Sequence, residues 1–234
     1  MYTQVIDELR NHSSPDKARA SAWFFKTGRG QYGEGDVFIG VTVPTQRTIA
    51  RKYYKNISLI DIKSLLASPV HEHRLTALIM LVYRFEKEKQ QSGRKVIFDF
   101  YVKNRKYVNN WDLVDTSAHH IVGAYLSGRD TSLLTRLARS PIIWDRRIAM
   151  IATFYEIGRG ESKEAFRIAK ILLHDPHDLI QKAVGWTLRE IGKRCDEKEL
   201  IDFLNTHYRS MPRTALRYAI ERLTPSKKSY YMKR

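Results

Sequence analysis

Apolar residues recur at helical spacing along most of the chain, in segments of roughly 10 to 18 residues separated by short turns. After Pro176, the residues Ile180, Ala183, Val184, Thr187, Leu188 and Ile191 follow the i, i+3, i+4, i+7 rule and define one buried stripe. After Asn110, a suitable N-cap, Leu113, Ser117, Ile121 and Ala124 do the same. Strand patterns are scarce. The clearest, residues 37–43, alternates imperfectly and follows a glycine-rich stretch from Gly28 to Gly35. Residues 27–43 read as one ordered loop or extended crossing, and the predicted class is all-α.

Prolines mark where segments begin. Ser68-Pro69, Ser140-Pro141, Asp175-Pro176 and Met211-Pro212 each open a helical pattern. Proline suits a first helical turn because it has no N–H to leave unpaired and its φ is preset. The last three of these four prolines are 35 and 36 residues apart, and Pro69 to Pro141 is 72, two such steps. The absent member falls near Arg105, just before the helix expected from about Asn110. A period of 36 with two helices per unit predicts a solenoid. It would form a single domain over 1–234: N-terminal helices in 1–26, the loop in 27–43, helical repeats in 44–223 and a basic tail in 224–234, read as a frayed end in preference to an extra DNA contact.

A second regularity rides on the first. A basic residue recurs five or six places after each proline, at Arg74, Arg147, Lys182 and Arg217. Alanine recurs seven or eight places after it, at Ala77, Ala149, Ala183 and Ala219, which suits close helix packing. In register on stacked helices, the basic residues would line one concave face.

Composition narrows the choice of partner. The chain has 234 residues, 43% of them hydrophobic and 11% aromatic, which is enough for a core and too much for global disorder. Lysine and arginine total 41 against 25 acids, giving +16 and a pI near 9.9. That balance favours a polyanion, whether DNA, RNA or an anionic membrane surface. The repeated basic positions turn the preference towards a duplex phosphate backbone, against the plainer reading of solvated charges on exposed faces. There is no run of 18 apolar residues and no N-terminal secretory pattern, so a soluble, cytoplasmic, nucleoid-associated protein is expected. The lone Cys195 excludes a disulfide framework and a cysteine-based zinc site. His71 and His73 are two apart and His119 and His120 adjacent, so none has an i, i+4 partner histidine and no metal site is predicted. Gly28-Arg29-Gly30-Gln31-Tyr32-Gly33 matches G-x-G-x-x-G, but a helical pattern precedes it where a dinucleotide site needs a strand.

Two tryptophans stand off the buried stripes. Lys182, Trp186 and Arg189 share a stripe roughly opposite the core face of their helix, where Trp186 either packs on a neighbouring helix or faces a ligand. Trp111 and Asp115 are i and i+4 and meet on one helical face. Asp112, in the first turn, fits a helix-dipole role. Trp111 and Trp186 are 75 residues apart, about two repeats. Two aromatic faces and a carboxylate make a pocket for a cation. Beside a basic, DNA-sized groove, the matching cation is a base alkylated on a ring nitrogen.

At this point the chain resembles the AlkD family of HEAT-like-repeat DNA alkylation repair glycosylases. The resemblance runs over nearly the whole length. It is most specific in Gly35-Asp36-Val37-Phe38-Ile39-Gly40-Val41-Thr42-Val43-Pro44, Asn110-Trp111-Asp112-Leu113-Val114-Asp115, Trp144-Asp145-Arg146-Arg147-Ile148-Ala149 and Gly185-Trp186-Thr187-Leu188-Arg189-Glu190. It implies a right-handed α-solenoid of HEAT-like repeats with a concave basic face, acting as a monomer on double-stranded DNA without cofactor or membrane. It implies excision of cationic purines such as 3-methyladenine and 7-methylguanine, without extruding the base into a deep pocket. Trp111 and Trp186 look like the aromatic pair at the lesion, and Asp115 like the catalytic carboxylate. Arg147 looks like the arginine that grips the backbone beside the lesion, and Arg189 like a further backbone contact. The helical stripe favours Arg147 for this role, since Arg146 is expected to point to solvent. With no activated lysine required, the reaction is expected to be monofunctional hydrolysis. The competing readings are a solenoid that binds nucleic acid without cleaving it, and a protein-interaction scaffold.

Overall fold

The structure, a computed structural model, describes residues 1–233. The fold is all-α, and the backbone divides into two compact units, Met1–Ser117 and Ala118–Arg234.

In the first unit, α1 (Tyr2–Asn11) and α2 (Pro15–Phe24) precede the loop. After it come α3 (Val43–Tyr53), α4 (Leu59–Leu66), α5 (His71–Lys87), α6 (Gln91–Asn104), a 3-10 turn (Arg105–Tyr107) and α7 (Trp111–Ala118). α5 is the axis, with α1, α3, α4 and α6 packed around it. Every residue from His71 to Val82 is buried. A helix surrounded on all sides needs apolar residues on every face, and α5 supplies them from Leu75 onward. Its first turn instead buries His71, Glu72, His73 and Arg74, so each of these must find partners.

Glu72 finds them in the loop. Its carboxylate accepts the N–H groups of Ile39, Gly40 at 2.7 Å and Val41. Gly40 has φ +79°, and a Cβ there would stand 2.1 Å from the Ser14 carbonyl oxygen, so glycine is required. The crossing expected at 27–43 is therefore an ordered loop with one parallel bridge, Val37 to Val70. The G-x-G-x-x-G backbone is already engaged: Gly28 N–H goes to Gln31 Oε1 and Gly30 N–H to a Glu34 carboxylate oxygen. Helix α2 comes before it and no strand does, so the strand-turn-helix frame of a dinucleotide site is missing.

The second unit begins with a π-helical turn (His119–Gly123), which shifts the register of the helix expected through Ala124. There follow α8 (Ala124–Leu126), α9 (Ser132–Ala138), α10 (Ile143–Ala152), α11 (Phe154–Ile157) and α12 (Lys163–Leu172). The unit ends with α13 (Asp178–Arg194), α14 (Glu197–His207), α15 (Arg213–Ala219) and α16 (Pro225–Met232). Here α13 is the axis, packed by α10, α12, α14 and α15. A Cβ on Gly185 would lie 2.4 Å from the Ala215 carbonyl oxygen, so this glycine sets how closely α15 approaches.

The periodic residues hold these helices in place. Ala77, Ala149, Ala183 and Ala219 are all buried, as expected. The prolines are placed differently from expectation: α5, α10 and α13 start two residues after Pro69, Pro141 and Pro176, and α15 one residue after Pro212. The residue before the proline is the reason. Ser68 and Ser140 Oγ accept the N–H groups of Val70 and Ile142 at 3.1 Å, and Asp175 Oδ1 accepts that of His177 at 2.9 Å. Each such bond closes a turn with the proline inside it. The side chain five places after the proline then reaches back to the carbonyl that precedes it: Arg74 to Ser68, Arg146 to Ser140 and Gln181 to Asp175, each at 3.0 Å.

The tail also departs from expectation. Instead of fraying, it forms α16, with Thr224 as N-cap and Tyr231 buried, its hydroxyl donating to Asn205 Oδ1 at 2.8 Å. Arg234 lies outside the described residues.

Candidate functional site

In the first unit, Trp111 and Asp115 are both half-buried and stand one helical turn apart on α7, where side chains at that spacing share a face. Asn110 fixes the start of the helix. Its Oδ1 accepts the Trp111 N–H at 2.8 Å and its Nδ2 donates to Asp36 Oδ2 at 3.1 Å. The Trp111 indole stacks on Phe25, with centroids 5.2 Å apart and planes 20° apart, and Phe24 meets it edge-on at 5.8 Å. Phe25 stacks in turn on Phe38 at 5.1 Å. Such offset and edge-on contacts limit how the indole can turn.

Below the rings lies a buried charge network. His71 Nδ1 is 2.9 Å from Asp36 Oδ2, and its Nε2 is 2.8 Å from Asp112 Oδ2. Arg74 Nη2 donates to Asp36 Oδ1 at 2.5 Å. Burial opposes charge on His71, but the hydrogen bonds to Asp112 and Asp36 outweigh it and raise its pKa to about 9. Burial likewise opposes ionisation of Asp36. The His71 hydrogen bond, the Arg74 charge and Asn110 overcome that and hold its carboxyl below the usual range. Asp112, given a helix-dipole role from its position, also anchors α7 to α5 and accepts the Leu113 N–H at 2.8 Å.

In the second unit, Trp186 is half-buried on α13, its ring 4.6 Å from that of Phe154. Three of the expected DNA contacts come together in this unit. Lys182 and Arg189 of α13, with Thr214, Arg217, Tyr218 and Glu221, line a groove of about 590 Å³. Lys182 pairs with Asp178 at 2.9 Å, and Arg189 pairs with Glu221 and Glu190.

The other basic positions do not form an exposed row with these. Arg74 is 3% exposed and is bound to Asp36, Ser68 and Pro69, so it is a clasp inside the core. Arg147 is 5% exposed and donates to the Leu179 carbonyl at 2.7 Å. Arg146, expected in solvent, is half-buried and donates to Asp175 at 2.6 Å as well as to Ser140 and Pro141. The structural equivalent of Arg74 is thus Arg146, five places after its proline, and the basic series joins residues with two different tasks.

Sequence reasoning missed Phe24 and Phe25, and gave no role to His71 or to Asp36 and Phe38, which it quoted only within the resemblance. Their signal was a buried polar run at a helix start beside a loop aromatic, which only the tertiary contacts reveal. Among the described residues, no group of three or more His, Cys, Asp or Glu could hold a metal ion, and no helix is long and apolar enough to cross a membrane.

A family model described as DNA alkylation repair enzyme matches residues 5–223. No curated protein matches the chain. Among solved structures, it is similar to a predicted DNA alkylation repair enzyme from Enterococcus faecalis, with 16% identity and a TM-score of 0.70 over 92% of this chain and 98% of that one, which shows a shared fold. The chain therefore belongs to the DNA alkylation repair enzyme family, and it is an enzyme of DNA repair that answers alkylation damage.

Proposed function

We propose that the protein is a monofunctional DNA glycosylase that excises cationic N-alkylated purines, 3-methyladenine and 7-methylguanine among them, from duplex DNA. One observation carries the reading: a braced indole and a carboxylate share one face of α7, in a chain of net charge +16. The overall charge attracts the phosphate backbone, while this local pair favours a cation.

The chemistry follows from charge. Alkylation at a ring nitrogen places positive charge on the base. When the glycosidic bond breaks, the bonding pair leaves with the base, which departs neutral, and the charge moves to an oxocarbenium-like sugar. Asp115 stabilises that charge and orients the water whose oxygen bonds to the anomeric carbon. The water's second proton passes to the carboxylate and on to solvent. Trp111 and Trp186 offer their faces to the cationic lesion and sugar, each worth on the order of 0.5–2 kcal/mol. Lys182, Arg189 and Arg217 contact the backbone through their shared groove. Arg74 has no part in the contact surface.

The test is release of free 3-methyladenine and 7-methylguanine from methylated duplex DNA. Release without strand cleavage supports the reading. Binding without release replaces it with a non-catalytic DNA-binding protein, and DNA association that is weak and insensitive to salt replaces it with a protein-interaction scaffold.

A further inference from the structure

We propose that His71 is a positioning residue of the reaction: as an imidazolium it ties α7 to the 25–42 loop and sets the pose of Trp111 and Asp115. Only the activity arm of the test rests on the glycosylase reading. The geometry assigns the protonation. Both ring nitrogens face carboxylate oxygens, Asp36 at 2.9 Å and Asp112 at 2.8 Å, and carboxylates only accept. Both nitrogens must therefore donate.

Two routes lead from His71 to the site. Through Asp112, which lies between Trp111 and Asp115 in sequence, it holds the first turn of α7. Through the rings it holds the indole: His71 lies 4.9 Å from Phe25, and Phe25 stacks on Trp111. The imidazolium also lies against Phe38 at 4.6 Å, where the ring face favours its charge. The charged groups around it are Asp36 from the loop, Asp112 from α7, and Arg74 of its own helix, whose Nη2 is 3.4 Å from Nδ1. Its helix neighbours face elsewhere, Glu72 to the loop N–H groups and His73 to Ser68 Oγ. Neutralising His71 removes one of the two donors. Either Asp112 or the buried Asp36 is then left with a lone pair facing a lone pair, and the His71 bridge between α7 and the loop is broken at that bond.

The direct test is heteronuclear NMR of the imidazole nitrogens in the full chain, between pH 6 and 10.5, after 5-fluorotryptophan labelling with Trp111 assigned through W111F. His71 is expected doubly protonated at neutral pH, and the Trp111 fluorine resonance is expected to move with the same midpoint as His71. A neutral His71 at pH 7, or a Trp111 resonance that ignores its titration, overturns the proposal. This arm needs no catalysis, so it stands apart from the failure of the glycosylase reading. In the activity arm, His71→Gln lowers kcat about 10- to 100-fold, as misplacement of reacting groups does, with DNA affinity changed less than about threefold. His71→Arg, which keeps the charge and two donors, recovers most of that loss. Unchanged kcat in His71→Gln, or no recovery in a folded His71→Arg, overturns it. If His71→Gln does not fold, the NMR arm on the unmodified chain decides.

Discussion

Arg74 and Arg146, 72 residues apart in sequence, hold the same pose. Each guanidinium reaches back over a Ser-Pro turn, takes both carbonyls of that turn, and closes on a carboxylate, Asp36 for one and Asp175 for the other. The repeat in the sequence is thus partly a repeat of clasps. It is kept because a turn that starts a buried helix leaves carbonyls needing donors.

Clasp and contact arginines therefore respond oppositely to substitution. Arg146→Met leaves Asp175 buried without its cation and is expected to cost about 3 kcal/mol of stability, read as a lower urea midpoint. Arg217→Met, at an exposed position in the α13–α15 groove, is expected to change stability by less than about 0.5 kcal/mol. It weakens DNA binding instead and reduces the slope of log K against log salt by about 1. An unchanged slope for Arg217→Met removes that groove from the interface.

Much of this was legible in the sequence. Helical periodicity placed the buried stripe of α13 and the shared face of Trp111 and Asp115, because both follow from 3.6 residues per turn alone. The basic series was legible as a series but not as two classes. Arg74 and Arg217 have the same spacing from proline, and only the carboxylate opposite Arg74, 38 residues away at Asp36, draws it into the core. The His71 network was hidden for the same reason. Its partners come from the loop and from α7, and no local pattern reports a bond between residues 71 and 112.

Asp115→Asn tests the assignment of the carboxylate. The amide is nearly isosteric and keeps the helical surroundings, but it offers no charge to an oxocarbenium-like sugar. Excision of 7-methylguanine is expected to fall by about 100-fold or more, while duplex affinity, set by phosphate contacts, stays within about threefold. Single-turnover release and a binding isotherm at one salt concentration check both halves. Equal release by the variant would remove Asp115 from the mechanism.

Gly185→Ala probes the helix contact that carries Trp186. The added methyl would lie 2.4 Å from the Ala215 carbonyl and 2.5 Å from Tyr218 Cβ, so α15 must move away from α13. Overpacking of this kind is expected to cost about 1–3 kcal/mol. Because Lys182, Arg189 and Arg217 line the groove formed by these two helices, DNA affinity should fall along with the thermal midpoint. The same substitution in an open turn, Gly128→Ala, has nothing within 4 Å to strike, although its φ of +69° still carries backbone strain. It therefore controls for the helix clash by leaving DNA affinity unchanged.

The two buried histidines of α5 predict the shape of the pH–stability profile. His71 is raised to about 9. Its contribution is complete below the unfolded value near 6.5 and is lost as pH rises from there through about 9. His73 has the opposite sense. Burial, with Arg10 and Arg74 nearby, lowers it to about 4, so its neutral form favours the fold. That contribution is complete above about 6.5 and is lost as pH falls towards about 4. Asp36, held below its usual range, adds a loss only at more acidic pH, as its carboxylate protonates. Stability from these groups should therefore peak near about pH 6.5 and fall on both sides. His71→Gln should flatten the alkaline limb and His73→Asn the acid limb, each leaving the other in place. Urea midpoints measured from pH 4 to 10 decide the matter, and a limb that survives removal of its own histidine shows that another group titrates there.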